Sequence, residues 1–172
     1  VIARLAADHL TPCVLELGGK NPVYVDESAD VRLAAKRVTW ARMFNCGQQC
    51  ISPDFVLCHE SVIDEFCKHC TIWLKQYYGE DPRQSDDFGR IVGDKQFERI
   101  SQELEDSLAT GNCELVCGGE TSAGERYIAP TVLRVTGPGV PLMNEEVFGP
   151  ILLVEKVASM DDAIEEINRR PK

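Results

Sequence analysis

Short apolar, β-rich runs alternate with amphipathic helical stretches along this chain, and that alternation limits the fold more than any other feature of the sequence. The strand-like runs are Val14–Leu17, Pro22–Val25, Phe55–Cys58, Glu114–Cys117, Ile128–Val135 and Ile151–Val157. Between them the apolar period shifts from two to about 3.6. Ile2, Leu5, Ala6 and Leu10 form one helical stripe, ended by Pro12. Ser28 or Asp30 caps a second helix that carries Val31, Ala35 and Val38 and runs to about Phe44, where Gly47 breaks it. Residues 61–78 give the strongest helix, with Ile63, Phe66, Cys70, Trp73 and Leu74 on one face. Asp94 caps another, with Phe97, Ile100 and Leu104 inward and Gly111 as the stop, and Ser159 with Asp162 forms a capping box for the last. Apolar strands this short, alternating with helices, must be covered on both faces. The predicted fold class is therefore α/β, an open, mainly parallel twisted sheet covered by helices.

At 172 residues the chain is long enough to bury a core without disulfides or metal. A formal charge of -10 argues against a nucleic-acid partner. The charge is uneven: the first 50 residues hold six basic and five acidic side chains, the remainder 12 and 23. No apolar run reaches the ~18 residues of a membrane span. Eight cysteines without a secretory leader or regular spacing read as thiols in a reducing compartment, so a cytoplasmic location is expected. Val1 opens in what reads as mid-helix, and Arg169-Arg170-Pro171-Lys172 closes without a tail, so a piece of a longer polypeptide is expected.

Three segments carry residues suited to chemistry. Cys46 and Cys50 flank Gly47-Gln48-Gln49, a polar bend between a helix and a Pro-bounded strand, and a thiolate is the strongest nucleophile available to a protein. The other cysteines fall mostly on apolar faces, where free Cys acts as a small hydrophobe. Cys50 is the candidate nucleophile, with an inert thiol as the plain alternative. Glu16 lies within Val14-Leu15-Glu16-Leu17, where apolar surroundings would raise a carboxyl toward neutrality and suit a general base. A solvated, outward-facing Glu is the alternative there. Asn144-Glu145-Glu146-Val147-Phe148-Gly149-Pro150 joins a carboxylate able to accept from ribose hydroxyls to a ring able to pack on a flat ligand, or is simply a charged turn. Cys67-Lys68-His69-Cys70 has zinc-like spacing but falls in mid-helix, so no metal is expected. Gly18-Gly19-Lys20 lacks the rest of a phosphate-binding P-loop. A Cys–His hydrolase would need His59 or His69.

Taken in order and spacing, Leu15-Glu16-Leu17-Gly18-Gly19-Lys20-Asn21-Pro22, then Gly47-Gln48-Gln49-Cys50, then Glu145-Glu146-Val147-Phe148-Gly149-Pro150 resemble the signature blocks of the aldehyde dehydrogenase superfamily. Tyr77-Tyr78-Gly79-Glu80, Gly89-Arg90-Ile91 and Arg126-Tyr127-Ile128-Ala129-Pro130-Thr131 look most like its class 3 branch, which takes medium-chain, fatty and aromatic aldehydes. The resemblance implies NAD or NADP as cofactor, Cys50 as nucleophile, Glu16 as the base for the hydrolytic water, and Glu146, Phe148 and Gly18 at the nicotinamide end of the dinucleotide. It implies that residues 1–26 are the end of a cofactor-binding domain and 27–172 a catalytic domain truncated at its C-terminal end. A homodimer of the whole protein is implied too, and membrane association through a tail beyond this chain. Gln49 and Cys46 depart from the Thr and the Ser or Ala common at those positions. Their closeness suggests oxidative coupling of Cys46 to Cys50. Two other classes stay open: a Cys-dependent hydrolase without nicotinamide, and a non-catalytic fragment that keeps the fold.

Overall fold

A computed structural model describes residues 1–170. Seven strands and five α-helices follow one another as α1 (Ile2–Asp8), β1 (Pro22–Val25), α2 (Val31–Met43), β2 (Phe55–His59), α3 (Ile63–Tyr78), α4 (Asp94–Ala109), β3 (Cys113–Cys117), β4 (Thr121–Ser122), β5 (Tyr127–Ile128), β6 (Thr131–Val135), β7 (Ile151–Val157) and α5 (Met160–Arg169). The main sheet runs β1-β2-β7-β6-β3, parallel through its first four strands, with β3 antiparallel at the edge. β4 and β5 form a separate antiparallel pair. The mainly parallel α/β sheet expected from the sequence is present.

Its centre is dry. Phe55, Val56, Leu57 and Cys58 of β2 are all buried, as are Ile151 to Val154 of β7, and consecutive buried residues on a strand mean both faces are covered. α2 packs on α3, and α3 lies against β2, β7 and β6, while α5 contacts β1 and β7. Capping follows the sequence closely: the Asp30 carboxylate accepts from the Leu33 amide, and Ser159 Oγ accepts from the Asp162 amide at 3.2 Å while donating to its carboxylate at 2.7 Å. Cation and ring contacts fasten α2 to α3. Trp73 donates to the Arg32 carbonyl, and Lys36 Nζ sits 4.6 Å from its ring centre.

Several expectations are corrected. Val14–Leu17 is not a strand, because no described strand lies alongside to pair with it, and Val14 (98%) and Leu17 (74%) project into solvent. The α1 stripe is likewise unburied, since nothing covers it. The run predicted over Ile128–Val135 is cut into β5 and β6 at Ala129-Pro130. Pro130 has no N–H to give a ladder and biases Ala129 away from regular continuation. Gly93, not Asp94, is the N-cap of α4. Pro22–Val25 pairs residue for residue with Phe55–Cys58 in the main sheet. Pro171 and Lys172, the end of the expected catalytic domain, lie outside the described residues.

Candidate active site

The three motif segments meet because of strand order. Gly18–Asn21 leads into β1, the Cys50 turn leads into β2, and Glu146–Pro150 leads into β7. These strands are adjacent and parallel, so their N-terminal ends lie on one edge of the sheet. Ligands in open α/β sheets usually gather at the carboxyl ends instead. Here the chemistry-bearing loops stand at the amino ends.

Backbone contacts then fix the loops to each other. Gly47 has φ +70°, and a Cβ there would lie 2.1 Å from the Gly149 carbonyl oxygen, so the bend before Cys50 rests directly on the turn after Phe148. Asn45, Cys46 and Phe148 are also left-handed, at φ 51°, 54° and 51°. Each such non-glycine residue costs roughly 1–2 kcal/mol, and strain of this kind concentrates at functional sites. Gln48 stitches the bend to the loop after α3: its Nε2 donates to the Arg90 carbonyl at 3.1 Å and its Oε1 accepts from the Val92 amide at 2.9 Å. Asn21 holds the other side. Its Nδ2 donates to the carbonyls of Cys50 (2.8 Å) and Ser52 (3.0 Å).

Cys50 is an exposed, free thiol in a turn, and among the described residues no backbone carbonyl accepts from its amide, which is free to donate. Cys46 is different. It is buried with Sγ close to Gly89, and burial pushes its thiol up to about 11. Both are free thiols, one buried and one exposed. Glu16 is exposed on the irregular segment before Gly18, so the apolar surroundings expected for it are missing among the described residues.

Glu146 is half-buried. Burial pushes its carboxyl above the usual range, and the nearby Asp54 charge pushes the same way. The Gly19 amide that donates to it, with Arg42 and Lys20, pulls downward. A Cβ on Gly18 would come within 2.8 Å of Glu146 Oε2, so only glycine leaves that carboxylate its place. Gly18, Gly19, Gln48, Arg99, Glu146 and the partly exposed Phe148 ring line a cavity of about 680 Å³. Arg99 on α4 donates to the Val147 carbonyl at 2.7 Å and pairs with Glu103, which holds this wall to the helix.

Beneath the loops lies a charged cluster that sequence reasoning missed. Asp54 and Arg42 are each 1% exposed and pair at 3.2 Å, and Lys20 pairs with the same carboxylate at 3.0 Å. Burial lowers the Lys20 ammonium, with the Asp54 charge opposing it. The one local signal was an arginine on the apolar side of α2, between Val38 and Met43.

Neither histidine of the hydrolase alternative serves Cys50. His59 ends β2, about 13 Å along the strand from Phe55, and shares a hydrogen bond with Ser61, while His69 pairs with Glu65 one turn back on α3. Among the described residues no group of three or more His, Cys, Asp or Glu side chains could hold a metal ion, and no helix is long and apolar enough to cross a membrane.

Comparison with known proteins places this arrangement. Residues 1–171 match the model of the aldehyde dehydrogenase family. All 172 residues align with aldehyde dehydrogenase family 3 member B1 of Homo sapiens at 45% identity, covering 36% of that protein. They also align with the dimeric NADP-preferring aldehyde dehydrogenase of Mus musculus at 43% identity, covering 37% of it. The substrate-bound state of Staphylococcus aureus AldH superposes with a TM-score of 0.92 at 38% identity, over 99% of this chain and 36% of that one. A 3,6-anhydro-L-galactose dehydrogenase in complex with NAP gives a TM-score of 0.87 at 30% identity, over 98% of this chain and 36% of that one. The chain thus spans little more than a third of the length of these relatives.

Proposed function

Because this chain belongs to the aldehyde dehydrogenase family, we propose that it is the nucleophile-bearing part of an enzyme that oxidises aldehydes to carboxylic acids with NAD or NADP. The observation that carries this reading is the convergence, at the amino ends of β1, β2 and β7, of the bend that bears the exposed Cys50 thiol with the loops that bear Gly18, Glu146 and Phe148; Gln48 of that bend lines the same cavity as those three. The residues fit the nicotinamide end of a dinucleotide. A half-buried carboxylate with a glycine opposite it suits a ribose diol, and a partly exposed ring suits a flat base.

Cys50 as thiolate forms a bond from sulfur to the aldehyde carbon, and the carbonyl π electrons move to oxygen as an oxyanion. The Cys50 amide, free of other acceptors, donates to that oxygen, a contribution worth on the order of 3–4 kcal/mol when the donor is preorganised. Asn21, through the Cys50 carbonyl, keeps the turn from swinging as charge develops. A dinucleotide held by Gly18, Glu146 and Phe148 would supply the hydride acceptor, so that as the C=O bond re-forms the carbon loses hydride and is left as a thioester on Cys50. Glu16 then takes a proton from water, the hydroxide attacks the thioester, and the C–S bond breaks to return the thiolate and release the acid. That role needs apolar surroundings around Glu16, and in this reading residues 1–26 end a cofactor-binding domain whose remainder covers Glu16, Val14 and the α1 face. A homodimer and aldehydes of the medium-chain, fatty or aromatic class belong to the same reading; the mouse relative is named dimeric.

The test is an absorbance assay at the nicotinamide band with an aldehyde panel and both dinucleotides, comparing the full-length enzyme with its Cys50→Ser variant and with the 172-residue chain. Turnover by the full-length enzyme alone is expected. Robust turnover by the Cys50→Ser variant refutes the nucleophile, and turnover by the 172-residue chain refutes the need for a further cofactor domain.

A further inference from the structure

Asp54 stands four residues after Cys50, and its buried carboxylate is shared between two loops. One oxygen pairs with Arg42 at 3.2 Å, and Arg42 Nη1 also donates to the Pro53 carbonyl at 3.0 Å, fixing the stretch that follows the nucleophile turn. The other pairs with Lys20 at 3.0 Å, and both lie 3.3–3.4 Å from the Val147 amide. Lys20 Nζ donates onward to the carbonyls of Leu142 and Glu145, each at 2.8 Å. Glu146 is therefore held on both sides, through the carbonyl of Glu145 before it and the amide of Val147 after it, by contacts that converge on Asp54.

A buried carboxylate held by two cations is weak evidence of stability gained, because desolvation offsets most of the attraction. Arg42 also keeps Nε and Nη2 without a hydrogen-bond partner, an arrangement poor as a stability device. Its geometric consequence is a fixed relation between the two loops. We propose that Asp54 is a positioning residue that acts through Glu146, setting the ribose-binding carboxylate against the Cys50 turn. The inference rests on the dinucleotide role of Glu146 proposed above.

The test is a double-mutant cycle on dinucleotide affinity, measured by titration calorimetry with NADP⁺ and NAD⁺ in the full-length enzyme. Glu146→Gln weakens binding. Asp54→Asn, which keeps the acceptor for the Val147 amide but removes the charge that anchors Lys20 and Arg42, raises the dissociation constant about tenfold. The double variant binds no more weakly than Glu146→Gln alone, because a residue acting through Glu146 has nothing left to act on. Multiplying effects, or an Asp54→Asn enzyme of unchanged affinity, overturn the proposal and leave the dinucleotide site standing. Unchanged affinity in Glu146→Gln overturns the reading beneath it. Where Asp54→Asn does not fold, Lys20→Met serves in the same cycle, because it leaves the Asp54–Arg42 pair intact while removing the Lys20 contacts that link Asp54 to the Leu142 and Glu145 carbonyls.

Discussion

Gly47→Ala tests the contact on which the site depends. Gly47 lies at φ +70°, and its missing Cβ would stand 2.1 Å from a backbone oxygen, that of Gly149. Two costs add. Left-handed backbone with a Cβ costs roughly 1–2 kcal/mol. Overlap that must be relieved by moving main chain costs about 1–3 kcal/mol more. Gly111 separates them: it has nearly the same φ, +69°, but nothing lies within 4 Å of its built Cβ. Gly111→Ala therefore carries the backbone term alone. With a urea slope of about 2 kcal/mol/M, the expected fall in unfolding midpoint is about 1.5 M for Gly47→Ala and ~0.7 M for Gly111→Ala. The relief at Gly47 must push the Cys50 bend off the Phe148 turn, so the alkylation rate of Cys50 changes in the first variant and not in the second. Equal midpoints, or equal alkylation rates in the two variants, refute the argument that this close approach sets the loops together.

Four further outcomes follow from the same geometry. Iodoacetamide at pH 8 labels Cys13 and Cys50 ahead of the rest, since both are exposed while burial holds Cys46 and Cys67 near 11 and Cys58 near 12, and peptide mass spectrometry reads the order. Asn21→Ala removes the donors to the Cys50 and Ser52 carbonyls and lowers kcat/KM of the full-length enzyme by about 10–100-fold, with unchanged kinetics counting against its positioning role. Gly18→Ala displaces the Glu146 carboxylate and weakens dinucleotide binding, whereas Gly93→Ala, with open space around its built Cβ, leaves binding unchanged. The raised carboxyl of Glu146 gives a pH signature. Its ionised form is disfavoured in the fold, so the wild-type chain loses stability relative to Glu146→Gln as pH rises from below the ordinary Glu value through the raised one. Melting temperatures of the two chains should converge below about pH 4 and separate toward pH 7, the variant higher; a constant gap across that range contradicts the shift.

What the sequence made legible, and what it did not, divides by the range of the interactions. The caps at Asp30 and Ser159 and the apolar stripe of α3 are local, and the structure keeps them. Cys50 and Glu146 were legible as reactive types in polar bends, and Gly18 as a place for close approach. Val14–Leu17 failed because strand formation needs a neighbour, and β-rich composition cannot show whether one is at hand. The Lys20–Asp54–Arg42 cluster was invisible for a related reason: three charged residues spread over 34 positions carry no periodicity, and only the approach of the end of α2 to Pro53 and Asp54, just before β2, makes them buried partners. The site itself is the clearest case. Nothing in Gly18-Gly19, Cys50 or Glu146 alone states that they meet, yet each motif immediately precedes a strand, and the order β1-β2-β7 makes those strands parallel neighbours. Once that order is given, the three loops must share one edge of the sheet. The missing information was therefore topological rather than chemical. Its cost falls on Glu16, which stands exposed and outside every described strand, so strand order brings it no neighbour as it does for the other three.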